Sequence, residues 1–164
     1  TATPLAMHHF AYPFAQTSFV VQWHILGMFA PAFFTGGLIK RYGVLNIMLA
    51  GGILGVACVA VNLAGSSVAH FWTALLFLGI SWNFLFIGAT TLLTETYSPE
   101  ERAKTQALND FIVFSTVALS SLSAGALQNS YGWQMVNLGL MPLLVVILAS
   151  IIWGKNRRDT ATMS

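Results

Sequence analysis

The feature that most constrains this chain is the spacing of its charged side chains. Lys40 and Arg41 follow 39 residues without a charge, and the next charged residue is Glu95. A third uncharged run, after those at 1–39 and 42–94, occupies residues 111–154. A membrane-spanning helix needs about 20 mostly apolar residues, so each run is long enough for more than one span.

Composition supports a membrane protein and excludes several other classes. Charged residues make up 7% of the chain, against about 25% in a typical soluble domain, so a water-facing surface could not be covered. The net charge of +2 gives no basic stripe for nucleic acid, and the single Cys58 cannot form an intramolecular disulfide. Metal-binding and catalytic motifs are missing from the sequence, so we expect no metal, no cofactor and no enzymatic activity.

Polar turns divide the long uncharged runs into segments of the length of a membrane helix. Glycine-containing turns lie at 65–67 and 128–132, and a weaker break lies at Tyr12-Pro13. The segments are continuously apolar rather than alternating, which argues against a β-barrel. The sequence predicts an all-α integral membrane protein with five transmembrane helices after a partial N-terminal helix. The expected spans are about 17–38, 44–64, 70–95, 107–128 and 134–153.

The lysines and arginines fall on alternate connections between these spans. They are Lys40, Arg41, Arg102, Lys104, Lys155, Arg157 and Arg158. Such one-sided placement predicts that this face is cytoplasmic. Residues 1–158 should then form one transmembrane unit, followed by a disordered cytoplasmic tail at 159–164. With the N-terminal end outside and a first residue that is not Met, we expect earlier helices to precede it.

Two motifs resemble the major facilitator superfamily of transporters. The segment from Thr35 to Gly43, TGGLIKRYG, resembles the family's glycine-x-leucine-x-aspartate-arginine-x-glycine loop, with Lys40 in place of the aspartate. The segment from Glu95 to Lys104 resembles the family's glutamate, proline and arginine connection. The resemblance covers nearly the whole chain, as the end of helix seven through helix twelve. It implies half of a twelve-helix bundle.

The resemblance also implies a function and a set of functional residues. It implies secondary active transport of a small organic solute by alternating access, in the bacterial inner membrane. The chain would work in the lipid bilayer with a missing N-terminal half, or with a second copy of itself. The implied cytoplasmic gating loop contains Gly36, Arg41, Gly43, Glu95 and Arg102. An ionic contact between Arg41 and Glu95 is implied, although two independent solvated charges are an alternative.

Candidate substrate contacts come from polar and aromatic residues within the expected spans. They are His24, Met28, Trp82, Asn83 and Thr116. His24 is the ionisable group well inside a span, where such groups usually face a cavity or a partner. Trp82 and Asn83 could stack on and hydrogen-bond an organic molecule. The alternatives are a neutral His24 bound to a neighbouring helix, and polar side chains that join helices.

A second function fits the same composition. Five packed helices could form a small membrane-embedded interaction or assembly protein without transport activity. Six further upstream helices with a stricter copy of the glycine-rich loop would favour transport. The sequence identifies neither the substrate, nor the direction of transport, nor the coupling ion.

Overall fold

A computed structural model describes residues 2–163, and these residues form helices without any strand. The helices are α1 (Ala2–His9), α2 (Phe14–Phe29), α3 (Ala32–Tyr42), α4 (Val44–Ala64), α5 (Val68–Leu93) and α6 (Arg102–Met163), with a 3₁₀ turn at Pro99–Glu101. The prediction of an all-α membrane bundle is confirmed at this level.

Several of these helices are long and apolar enough to cross a membrane. In the described part of the chain they are α4, α5 and the segment 99–158. Helices α2 and α3 give a fourth if the bent pair counts as one span. Three to four candidate spans are therefore present, and the division into five spans with a partial helix stays a prediction.

Glycine and serine set the limits of the two central helices. Gly43, with φ 85°, adopts a left-handed conformation that favours glycine, and α4 begins directly after it. Helix α5 begins two residues before the predicted start at residue 70. Its N-cap is Ser67, whose hydroxyl oxygen accepts a hydrogen bond from the backbone N–H of His70.

The expected span 17–38 is broken at Pro31. Helices α2 and α3 meet there at an angle of 43°. Proline has no N–H to donate to the carbonyl four residues earlier, so the helical ladder is interrupted. Asn83 of α5 binds the backbone next to this break, because its Nδ2 donates to the carbonyl oxygen of Met28 at 2.7 Å.

Helix α6 reverses its direction at Gly132, whose φ of 80° and ψ of 179° are not helical. Arg158 near its end binds Glu95, which lies just before its start. A straight helix of 62 residues would be about 93 Å long, whereas the seven residue steps from Glu95 to Arg102 reach at most about 25 Å. Residues 102–131, the proximal arm, and 133–163, the distal arm, therefore run in opposite directions.

The predicted turn at 128–132 contains this reversal, and the expected spans 107–128 and 134–153 fall one in each arm. The distal arm remains helical to Met163, so the described part of the expected disordered tail is helical. Neither proline nor glycine follows Gly154 to end the helix. Ser164, the last residue of that tail, lies outside the described residues.

Small residues let α5 pack closely against both α2 and α4. A Cβ atom at Gly79 would lie 2.4 Å from the carbonyl oxygen of His24 and 3.0 Å from the carbonyl carbon of Gly27. On the other side, a Cβ atom at Gly51 would lie 3.2 Å from the carbonyl oxygen of Ser81. The Ser81 hydroxyl donates to the Gly51 carbonyl at 2.7 Å. Such backbone contact is typical of small-residue packing between membrane helices.

The two ends of the bundle differ in charge. At one end, Lys155 donates to the side chain of Asn46 at 2.7 Å and Arg158 binds Glu95. We call this the cationic end, and it contains segments 40–46, 95–104 and 155–158. At the other end, called the uncharged end, Tyr12 donates to the carbonyl oxygen of Ser66 at 2.9 Å.

Candidate functional site

His24 lies where α2 crosses α5. It is half-buried, and its Nδ1 is 2.9 Å from the carbonyl oxygen of Leu75. A carbonyl oxygen only accepts, so Nδ1 carries the proton and donates. His24 is thus hydrogen-bonded to a neighbouring helix, which is the alternative to substrate contact considered for this residue.

Asn83 joins α5 to both sides of the bend at Pro31. Its side chain is 3% exposed. Its Nδ2 donates to the carbonyl oxygen of Met28 on α2, and its Oδ1 lies 2.6 Å from the hydroxyl of Thr35 on α3. Thr35 is fully buried and also lies 2.8 Å from the Pro31 carbonyl oxygen. The amide of Asn83 thus joins α5 to α2 and α3, which is the alternative to substrate contact considered for this residue.

Trp82 is part of an aromatic cluster on the face of α5 next to α6. Its ring stacks on Phe86 with 5.7 Å between ring centroids and 10° between the ring planes. Phe86 in turn lies 6.4 Å from Phe114 on the proximal arm. Thr116 is exposed on that same arm and donates to the carbonyl oxygen of Ile112 at 2.8 Å. The cluster presents flat apolar surface between two helices.

The structure does not bring the predicted site residues together in one place. His24, Met28 and Asn83 lie along the contact between α2 and α5, Trp82 lies in the aromatic cluster, and Thr116 is exposed on the proximal arm. Sequence reasoning missed Phe114 as a member of the cluster. Its only signal was an aromatic residue on the next expected span, and the sequence does not reveal which helices become neighbours.

The segment expected to form the gating loop is largely helical, since Gly36 and Arg41 lie within α3 and Gly43 makes the turn to α4. Its contacts also differ from those that the resemblance implies. Arg41 lies with its guanidinium 5.2 Å above the ring of Tyr42. Glu95 binds Arg158 of the distal arm instead, through the ion pair at the cationic end. Both partners of that pair are about half exposed, which makes its contribution to stability small. The contact between Arg41 and Glu95 implied by the resemblance is not the one the structure forms.

The remaining residues of this loop have little around them. A Cβ atom at Gly36 would meet nothing within 4 Å, and Arg102 is exposed at the first position of α6. Just before Arg102, the backbone N–H of Ser98 donates to Glu101 at 3.4 Å. Hydrogen bonds from its own backbone N–H and from the Ser98 side chain lower the pKa of Glu100 below its ordinary value of 4.5.

Among the residues whose side chains the structure describes, no three histidine, cysteine or acidic groups lie close enough together to hold a metal ion. The side chains of His24, Ser81 and Asn83 instead join helices through backbone carbonyl oxygens.

A bundle of apolar helices, joined by buried polar contacts and with its cations at one end, defines a helical membrane protein. The sequence matches the Major Facilitator Superfamily over residues 1–162, and the chain belongs to this family of transporters. The predicted family is confirmed. Membership also indicates a transporter rather than an enzyme.

Individual relatives come from bacteria. The chain is 45% identical over 152 residues to the riboflavin transporter RfnT of Brucella anthropi. The aligned part makes up 93% of this chain and 38% of that protein. It is 30% and 28% identical to two uncharacterized MFS-type transporters of Bacillus subtilis, YdeG and YddS, over 96% and 93% of its length. It spans 37% and 36% of those two relatives. No solved structure matches the chain.

Proposed function

We propose that this chain is the C-terminal half of a secondary transporter that carries riboflavin, or a closely related neutral flavin, by alternating access. The observation that carries the proposal is the 45% identity to a riboflavin transporter over 93% of the chain. The chain spans less than two-fifths of that relative, so the activity requires further helices. Two halves would then rock around a site near the middle of the bilayer.

The aromatic cluster on α5 supports a flat substrate. The rings of Trp82 and Phe86 are nearly parallel, and both side chains are only half-buried. A planar ring system gains dispersion and quadrupole interactions when it stacks on such a pair. The residues named at this cluster are uncharged, which suits a neutral flavin. Trp82 would therefore contact the ring system directly, with Phe86 and Phe114 around it.

Asn83 and His24 have a different role in this proposal. Their side-chain polar groups bind the backbone of neighbouring helices, so they would hold the wall of the substrate cavity in place. Asn83 in particular binds both helices beside the bend at Pro31. We therefore assign it to positioning rather than to substrate contact.

The exposed apolar surface supports a partner within the membrane. Large side chains of α2 and α3 are highly exposed, and they include Phe14 (85%), Phe33 (89%) and Phe34 (70%). A face of this kind lies against lipid or against the opposing half. We propose that the cationic end faces the cytoplasm of a bacterial cell, in line with the positive-inside rule.

The test is riboflavin uptake by a riboflavin-requiring bacterium that lacks its own transporter. Cells expressing the complete gene product that contains this chain should take up labelled riboflavin, and Trp82→Ala should lower uptake about tenfold, since stacking is worth about 1–3 kcal/mol. Trp82→Phe should keep most of the activity because it keeps a ring.

Trp153→Ala is the matched control, because Trp153 is also a tryptophan but stacks with Arg157 at the cationic end. It should leave uptake unchanged. If the wild-type protein reaches the membrane and takes up no riboflavin, the proposed substrate is wrong.

A further inference from the structure

A second cavity lies at the uncharged end, away from the aromatic cluster. Its volume is about 840 Å³, within the range of roughly 300–1,000 Å³ typical of small-molecule sites. It is bounded by the end of α1, the connection between α4 and α5, and the reversal of α6 at Gly132. Its polar and aromatic lining includes Asn62, Gln128, Asn129, Gln134, Tyr131 and Trp133.

The chemistry of this lining favours a neutral ligand. Among the described residues that line the cavity, none is a lysine, arginine, aspartate or glutamate. Four amides offer both donors and acceptors, and the aromatic rings offer apolar surface. Carboxylate or phosphate groups would find no cation here other than a protonated His8 or His9. A molecule with hydroxyl groups attached to an apolar ring fits both kinds of surface.

A chain of hydrogen bonds fixes the orientation of one wall amide. Asn137 donates from Nδ2 to the carbonyl oxygen of Trp133 at 2.8 Å, which leaves its Oδ1 as the acceptor. Asn62 donates from Nδ2 to that Oδ1 at 2.9 Å. The Oδ1 of Asn62 is therefore an acceptor, and it has no hydrogen-bond partner although Asn62 is only 6% exposed.

Two more wall residues carry buried polar atoms without a partner. They are Oε1 of Gln128, an acceptor, and Nε1 of Trp133, a donor. Both side chains are more than nine-tenths buried. Unpaired buried polar groups are rare and unfavourable, and several around one cavity indicate a missing partner. All three residues line the cavity, so a ligand there can supply the missing partners as Gln128 and Trp133 turn toward it, while Asn62 keeps the orientation set by Asn137.

We propose that this cavity binds a neutral polyhydroxylated organic molecule. Two ligand hydroxyls would donate to Asn62 and Gln128, and a ligand oxygen would accept from Trp133. The site is separate from the aromatic cluster, since Val68 beside the cavity and Trp82 are fourteen residues apart, or about 21 Å along α5. Only the choice of riboflavin as probe rests on the proposed function. Riboflavin combines a ring system with a hydroxylated chain.

The test measures riboflavin binding to the complete gene product, purified in detergent, by equilibrium dialysis. Wild-type protein should bind at two sites, and Gln128→Met or Trp133→Phe should weaken one of them about fivefold, since each removes one hydrogen bond. Lumichrome, which has the ring system without the hydroxylated chain, should bind equally to wild type and Gln128→Met. Gln16→Met is the matched control, because Gln16 is exposed near the same end and does not line the cavity.

A second readout separates ligand binding from a purely structural role. Without ligand, Gln128→Met should raise the unfolding temperature, because it removes an unpaired acceptor and keeps the side-chain volume. A lower unfolding temperature, or unchanged riboflavin binding in both variants, would overturn the proposed site. If cells take up riboflavin but Gln128→Met and Trp133→Phe bind it as tightly as wild type, the proposed site is wrong and the proposed function stands. If Gln128→Met weakens riboflavin binding but cells with the wild-type protein take up no riboflavin, the proposed function is wrong and the site stands.

Discussion

The most apolar segments of α4 and α6 have similar hydropathy, yet they pack very differently. Within the most apolar stretch of each helix, the buried share is 39% in α4 and 11% in the segment 99–158. A Cβ atom at Gly52 of α4 would lie 2.5 Å from Leu148, whereas one at Gly139 of α6 would meet nothing within 4 Å. Hydropathy therefore indicates which segments enter the membrane, while small residues at close crossings indicate which faces meet another helix.

The largest effect should come from closing the tightest crossing. Gly79→Ala puts a methyl group against the backbone of α2, which cannot move away without shifting the helix, so it should cost about 3 kcal/mol of unfolding free energy. Gly139→Ala, the control in the open helix, should be neutral or slightly stabilising. Unfolding temperature in detergent measures both. Equal shifts for the two variants would remove the distinction between packed and open helices.

Removing the polar link at the bend should have the next largest effect. Asn83→Leu leaves the Met28 carbonyl and the Thr35 hydroxyl with one partner fewer in a buried place, at a cost of about 2 kcal/mol. Asn109→Leu is the control on α6, where the amide donates to the adjacent Asp110. Thermal unfolding of both proteins would show the difference. A harmless Asn83→Leu would mean that the bend at Pro31 needs no support from α5.

A smaller effect is expected at the cationic end. Glu95→Gln weakens a half-exposed ion pair with Arg158 and should cost less than about 1 kcal/mol. The difference from wild type should shrink in high salt, because ions screen exposed charges. Asp110→Asn is a matched control on the proximal arm. If Glu95→Gln destabilised as much as Gly79→Ala, this end would be packed as firmly as the glycine crossings.

The smallest effect should be a pH dependence before α6. The pKa of Glu100 is lowered in the folded protein, so its contribution is present at neutral pH and is lost as pH falls below 4.5 through the folded pKa. Glu100→Gln should remove that part of the acid dependence of the unfolding temperature. An unchanged acid dependence in this variant would show that the turn at Ser98 does not depend on the carboxylate.

The sequence predicted helix limits well where glycine decides them. The expected span 44–64 coincides with α4 because Gly43 is left-handed and Gly65 follows the last turn. Pro31 indicated an interruption of the helix, but the size of the bend could not be predicted, since prolines within membrane helices are often tolerated and only neighbouring side chains such as Asn83 show how the bend is supported.

Much less of the site was visible in the sequence. The sequence identified Asn83 as a polar residue within an expected span, but its hydrogen bonds are to Met28 and Thr35, which lie 55 and 48 residues away in the chain. The cavity at the uncharged end was not anticipated at all. It depends on Asn62 meeting Asn137 across two helices, and no local pattern records such a meeting.

The one-sided placement of cations has an electrical consequence. Moving one elementary charge across a potential of 100 mV takes about 2.3 kcal/mol, so a helix that carries charge through the bilayer responds to voltage. Every lysine and arginine of this chain belongs to the segments at the cationic end, and the cavity at the other end has no permanently charged side chain in its described lining. A rocking of these helices would leave those cations on one side of the field. The membrane potential would then act on transport through a coupled ion or through chain outside these helices.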